Sequence, residues 1–123
     1  MAASTVLIAD DDDEVRELVR DLLEGNGYDV IEASDGHAAW RLLLERRPDL
    51  AILDVGMPGL NGIELARDIA AEAHLKHTRV MVLTGADPLD LKKAGESQRI
   101  DVYLQKPFAP SVLRQAVASE LAR

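Results

Sequence analysis

Asp10, Asp11, Asp54, Thr84 and Lys106 each follow, at once or within two residues, a short apolar run of the kind that forms a β-strand. If those strands are parallel, the five side chains open onto one rim. That rim is the crevice beyond the carboxyl ends of the strands, where open α/β sheets bind their ligands. Three carboxylates held together repel one another, which costs stability unless something compensates. Lys106 is one available compensator and a metal is the other. An all-oxygen site of two or three carboxylates, a backbone carbonyl and water suits a hard cation, most naturally Mg²⁺ held octahedrally at about 2.0–2.1 Å. Asp54 stands alone after its strand, whereas Asp10 and Asp11 come as a pair from another. This division suggests two metal-binding carboxylates and one that reacts. A carboxylate can attack phosphorus to give an aspartyl phosphate. Lys106 would then pair with one phosphoryl oxygen and the Thr84 hydroxyl would donate a hydrogen bond to another.

The elements that must place these residues alternate along the chain. Val6-Leu7-Ile8-Ala9 is a continuous apolar run, and Val15, Leu18, Val19 and Leu22 follow at helical spacing. Gly25-Asn26-Gly27 stops that helix with residues that tolerate positive φ. Tyr28 to Ala33 reads as a second strand whose Asp29 and Glu32 suit a sheet edge. Ser34-Asp35 can cap a helix carrying Ala39, Trp40, Leu43 and Leu44, which ends before Pro48 because the residue preceding proline avoids the α region. Leu50-Ala51-Ile52-Leu53 is the third strand, and Val55 to Gly62, with three glycines and a proline, is loop. A helix with Ile63, Ala66, Ile69, Ala70 and Ala73 on one face leads to the fourth strand, Val80-Met81-Val82-Leu83. Asp87-Pro88 can start a fourth helix, but Gly95 interrupts it, so it is expected to be the shortest and weakest. Ile100 to Leu104 is the fifth strand, and Leu113, Ala116, Val117 and Leu121 line a last helix. Five βα units in series predict an α/β fold, a doubly wound parallel sheet with right-handed crossovers. The two more polar strands, second and fifth, belong at the edges, as in the flavodoxin-like order 2-1-3-4-5.

Composition narrows the function classes. The 123 residues suffice for one core, so a single domain (1–123) without an output domain is expected. The net charge of −8 repels nucleic acid and anionic membrane, which argues against direct binding to either. No cysteine is present, so no thiolate metal site, disulfide or thiol nucleophile exists, in keeping with a reducing cytoplasm. No apolar run approaches the roughly 18 residues of a membrane span, and no export signal precedes the first strand. A cytoplasmic protein is expected.

Four segments together resemble the receiver domain of two-component response regulators, the CheY-like family. They are Val6 to Asp12, Leu53 to Gly62, Val82-Leu83-Thr84-Gly85 and Tyr103-Leu104-Gln105-Lys106-Pro107-Phe108. The resemblance runs in order along essentially the whole chain. It implies that Asp54 accepts a phosphoryl group from a histidine of a sensor kinase or phosphotransfer protein. It also implies that Asp11 and Asp54 ligate Mg²⁺ directly, that Asp10 assists through water, that the Gly56 carbonyl completes the protein ligands, and that Thr84 and Lys106 bind the phosphoryl group. In the family, Thr84 would move toward the phosphoryl group while Tyr103 turns inward. That movement reshapes the face of the fourth helix, fifth strand and fifth helix, through which a downstream protein or a second copy would read the state. The Lys106-Pro107 bond is expected to be cis on the same ground.

Duller roles compete with these. Asp13 and Glu14 fit the first turn of a helix, where the dipole favours negative charge, and Asp12 suits a helix cap as well as a site. An EF-hand fails because Val15 occupies the position that needs glycine. Asp54 could be a turn former, Lys106 a surface lysine, Thr84 a strand end and Tyr103 an edge-strand aromatic. His74 and His77 suit solvent rather than a ligand role. Asp13, Arg99 and the short fourth helix depart from the commonest receiver pattern, and they touch the output face rather than the phosphorylation residues. Gly56 and Ala86 are small where many receivers carry larger side chains, so water is expected to reach the acyl phosphate with little hindrance. A haloacid-dehalogenase-type phosphatase would need a second acid where Gly56 stands. A phosphate-independent receiver-like interaction module would be expected to lack Asp54, Thr84 or Lys106.

Overall fold

The computed structural model describes residues 3–85 and 100–122. Strands β1 (Thr5–Ala9), β2 (Asp29–Ala33), β3 (Leu50–Asp54), β4 (Arg79–Thr84) and β5 (Val102–Gln105) form one parallel sheet in the order β2-β1-β3-β4-β5. β3, at the centre, is buried at all five positions, while edge strand β2 is buried only at Ala33. The flavodoxin-like architecture expected from the alternating periodicity is therefore the one observed. The fourth helix expected from Asp87 and broken at Gly95 lies outside the described residues, as do Ala86 and Arg99.

Strand side chains alternate between two layers. Leu7, Ala51, Leu53, Val80 and Val82 pack with Ala39 and Leu43 of α2 (Gly36–Arg46) and Leu65, Ala66 and Ile69 of α3 (Gly62–Ala71). Val6, Ile8, Leu50, Ile52, Met81 and Leu83 pack with Val19 and Leu23 of α1 (Asp13–Glu24) and Leu113 and Val117 of the C-terminal helix (Pro110–Leu121).

Two helices turn slightly from the faces expected of them. In α1 the stripe that packs is Val15, Val19, Leu22 and Leu23, and Leu18 is 50% exposed. In α3 Leu65 replaces Ala70 on the inner face, because Gly62, Leu65, Ala66 and Ile69 keep the i, i+3, i+4, i+7 spacing and Ala70 points outward. α3 ends at Ala71, where Glu72 turns extended and caps a short 3₁₀ turn, Ala73–Leu75, so Ala73 is not part of the helix.

Helix starts follow the sequence signals. Asp12 caps α1 by accepting from the N–H groups of Glu14 and Val15, with Asp13 and Glu14 in the first turn. Asp35 caps α2 through the Ala38 N–H, and Asn61 with Glu64 forms a capping box at α3. Gly36, first in α2, lies directly against Leu60 of the loop after β3, and any Cβ there would collide with the Leu60 carbonyl and side chain. Gly36→Ala is expected to cost about 1–3 kcal/mol through forced backbone shifts. Urea unfolding would measure this, and wild-type stability would show that the loop yields freely.

Candidate functional site

Backbone pairing runs past each strand end into the rim. The Asp10 N–H donates to the Ala33 carbonyl (3.1 Å), the Val55 N–H to Leu83 (2.9 Å) and the Lys106 N–H to Thr84 (2.7 Å). The residues of the site are thus fixed by the sheet rather than carried on free loops. Strand alternation then selects which side chains meet. Asp10, Asp54 and Lys106 fall in step with Ile8, Ile52 and Leu104, which all face the α1 layer, while Thr84 and Tyr103 fall in step with the other layer.

Lys106 joins the acids. Its Nζ donates to Asp10 Oδ2 at 2.9 Å and to Asp54 Oδ1 at 3.3 Å. Asp10 is fully buried and Asp54 nearly so. The Asp12 N–H donates to Asp10 Oδ1 (2.9 Å) and the Gly56 N–H to Asp54 Oδ1 (3.2 Å). Burial pulls the Lys106 pKa down, but the hydrogen bond and charge of Asp10, and then Asp54, outweigh it, and the net direction is upward. The stability linked to the Lys106 charge is therefore present below the ordinary lysine pKa and is lost as pH rises through the elevated folded value.

Asp11 is exposed beside this pair, and one carboxylate oxygen from each of Asp10, Asp11 and Asp54 lies within 4.8 Å of the others. A donor set of three carboxylates, all oxygen and partly open to solvent, fits a hard divalent cation such as Mg²⁺. Thr84 is buried at the end of β4, and Gly56 is exposed two residues beyond Asp54. Tyr103 is half-buried against the α2–α3 layer. The Lys106-Pro107 peptide is cis. The structure thus brings Asp10, Asp11, Asp54 and Lys106 together, with Thr84 and Gly56 at the neighbouring strand ends.

Gly62 explains how the loop after β3 returns so tightly. A Cβ there would sit 2.8 Å from the Asp54 carbonyl oxygen, so only glycine lets α3 begin against the residue that carries the central carboxylate.

Arg16 is the site neighbour that sequence reasoning missed. It donates to the Asp10 carbonyl oxygen at 2.7 Å, to Asp13 Oδ1 at 2.6 Å and to Glu32 Oε1 at 3.3 Å. The i, i+3 spacing from Asp13 signals only a helix-surface pair, and nothing local points to Asp10 or Glu32.

The profile of the response regulator receiver domain matches residues 6–118. The chain belongs to that family. Among curated relatives, this receiver domain is 35% identical over 123 residues to the phosphate regulon transcriptional regulatory protein PhoB of Pseudomonas aeruginosa, covering all of this chain and 54% of that one. It is 39% identical over 118 residues to the response regulator MprA of Mycolicibacterium vanbaalenii, covering 96% of this chain and 50% of that one. The chain spans about half the length of these curated relatives. Among solved structures, the chemotaxis response regulator CheY4 of Vibrio cholerae superposes with a TM-score of 0.90 at 29% identity, covering 97% of this chain and 99% of that one. The receiver domain of the Francisella response regulator 1452 gives 0.87 at 32%, covering 98% of each chain. Among the described residues, no helix of the receiver is long and apolar enough to cross a membrane.

Proposed function

We propose that this receiver is a phosphorylation-dependent switch of a cytoplasmic two-component system or phosphorelay, with Asp54 as the phosphoacceptor. The observation that carries this is the central, nearly buried Asp54, held by the same lysine that binds Asp10. The donor is a phosphohistidine on a sensor kinase or phosphotransfer protein. An Asp54 carboxylate oxygen attacks phosphorus, the new O–P bond forms as the P–N bond breaks, and the imidazole, already protonated on its other ring nitrogen, takes the P–N electron pair and leaves as a neutral ring. Lys106 then turns from the carboxylates to a phosphoryl oxygen, and the Thr84 hydroxyl donates to another. Asp11, Asp54 and the Gly56 carbonyl would hold Mg²⁺, with Asp10 assisting through water. When bound, the ion neutralises charge on the transferring group.

The receiver turns over no external metabolite and catalyses only its own phosphorylation and dephosphorylation. Movement of Thr84 and Tyr103 reports the phosphoryl group to the face that includes β5 and the C-terminal helix, where a downstream protein or a second copy binds. Intact-mass measurement after incubation with a small phosphodonor and Mg²⁺, with a chelator arm, tests this. One phosphoryl group is expected with Mg²⁺ and none with chelator, and no gain in either arm would refute it.

Water returns Asp54 to its free form, and Gly56 controls the approach. A Cβ at Gly56 would lie 3.7 Å from Asp54 Oδ2, so a longer side chain can cover that oxygen without a backbone clash. Gly56→Gln is expected to slow loss of the phosphoryl group about tenfold, equivalent to about 1.4 kcal/mol in the barrier. An unchanged decay rate would show that water arrives by another path.

A further inference from the structure

We propose that Arg16 is a positioning residue that sets the direction of the Asp11 carboxylate by holding the peptide between Asp10 and Asp11. The inference rests on the Mg²⁺ site described above and assigns part of its geometry to a residue that touches neither metal nor phosphate.

The two acids at the end of β1 are held differently. Asp10 has its carboxylate fixed from both sides, by Lys106 Nζ and by the Asp12 N–H. Asp11 is exposed, and the planar peptide that joins it to Asp10 fixes the position of its Cα, the point from which its side chain leaves the backbone. The carbonyl oxygen of that peptide accepts the 2.7 Å bond from Arg16 Nη1.

The guanidinium is itself held by two other elements. Nη2 donates to Asp13 Oδ1 in the first turn of α1, and Nε donates to Glu32 Oε1 on β2. Its side chain is only 17% exposed. One planar fork thus ties the end of β1, the start of α1 and the edge strand, which a lysine's single ammonium cannot reproduce. Groups that orient metal ligands in this way commonly change metal affinity by 10- to 100-fold when removed.

Charge and positioning predict opposite signs here. Arg16 is a cation close to an acidic metal site, so its charge alone weakens Mg²⁺ binding, and its removal would tighten it. Loss of positioning would weaken it instead.

Calorimetric Mg²⁺ titration of wild type, Arg16→Met, Arg16→Lys and Asp11→Asn separates these, with urea unfolding in chelator to confirm that each variant is folded. Wild type is expected to bind and Asp11→Asn to bind far more weakly. Arg16→Met and Arg16→Lys are each expected to weaken binding about tenfold. Arg16→Lys keeps the charge, so it carries the test even if Arg16→Met does not fold. Unchanged or tighter binding in Arg16→Met, or wild-type affinity in Arg16→Lys, overturns the positioning role while leaving the metal site intact. Failure of wild type to bind, or wild-type affinity in Asp11→Asn, overturns the metal reading and the positioning role with it.

Discussion

Lys106→Met is expected to lower the stability of the metal-free protein by about 2–4 kcal/mol at pH 7 and, in the same variant, to tighten Mg²⁺ binding about tenfold. Removing one partner from a fully buried ion pair typically costs about 3–5 kcal/mol, because a charge is left without compensation. Lys106 is about a quarter exposed, which trims that figure through solvent screening.

The tighter metal binding has the same origin. A cation within hydrogen-bonding distance of Asp10 and Asp54 competes with any ion those carboxylates would hold. Urea melts in chelator, followed by Mg²⁺ titration, give both signs on one sample. With Mg²⁺ at 100 times its Kd, linkage should return about 2.7 kcal/mol. A variant as stable as wild type in chelator would show that the acids are compensated by something other than Lys106.

Asp54→Asn is expected to take up no detectable phosphoryl group from a small donor under conditions in which wild type takes up one. The amide has the same shape but lacks the anionic oxygen that attacks phosphorus. It also keeps a carbonyl oxygen able to accept from Lys106 Nζ and the Gly56 N–H, so the rim should stay folded. The metal-free variant should be no less stable than wild type, since one of three mutually repelling charges is gone. Uptake by Asp54→Asn equal to wild type, read by intact mass, would move the acceptor to another residue. Uptake by neither would instead remove phosphoryl transfer from the function of this chain.

The order of elements and the rim were readable because both depend on local pattern. Short continuous apolar runs such as Val6 to Ala9, alternating with helical periodicity, read as strands buried on both faces, and polar residues ending such runs emerge at one edge if the sheet is parallel. Asp35 and the Gly25-Asn26-Gly27 stop act within a few residues of themselves and were legible for the same reason. By its place in the sequence, Asp12 suits a cap and a site equally. Its bonds to the Glu14 and Val15 N–H groups make it the cap of α1. Strand edges moved by a residue or two, with Asp54 and Thr84 inside the ends of β3 and β4, because pairing with the next strand, rather than apolar character, decides where a strand stops.

By itself, the sequence determined the residue types available for chemistry: three carboxylates, a hydroxyl and an ammonium at strand ends, with no thiol and a negative field overall. It also determined the alternation that makes the sheet parallel. Only the tertiary structure decided that Lys106, from the far edge of the sheet, reaches Asp10 just beyond β1 and Asp54 on β3. Only there does Gly36 become the close contact to Leu60 that a Cβ would disturb, and Arg16 the clamp on the Asp10 carbonyl. Each of these contacts joins residues on different elements. Their meeting depends on strand order, on which face each side chain takes and on how closely helices pack. Periodicity can suggest those quantities but cannot set them to the ångström that a hydrogen bond requires.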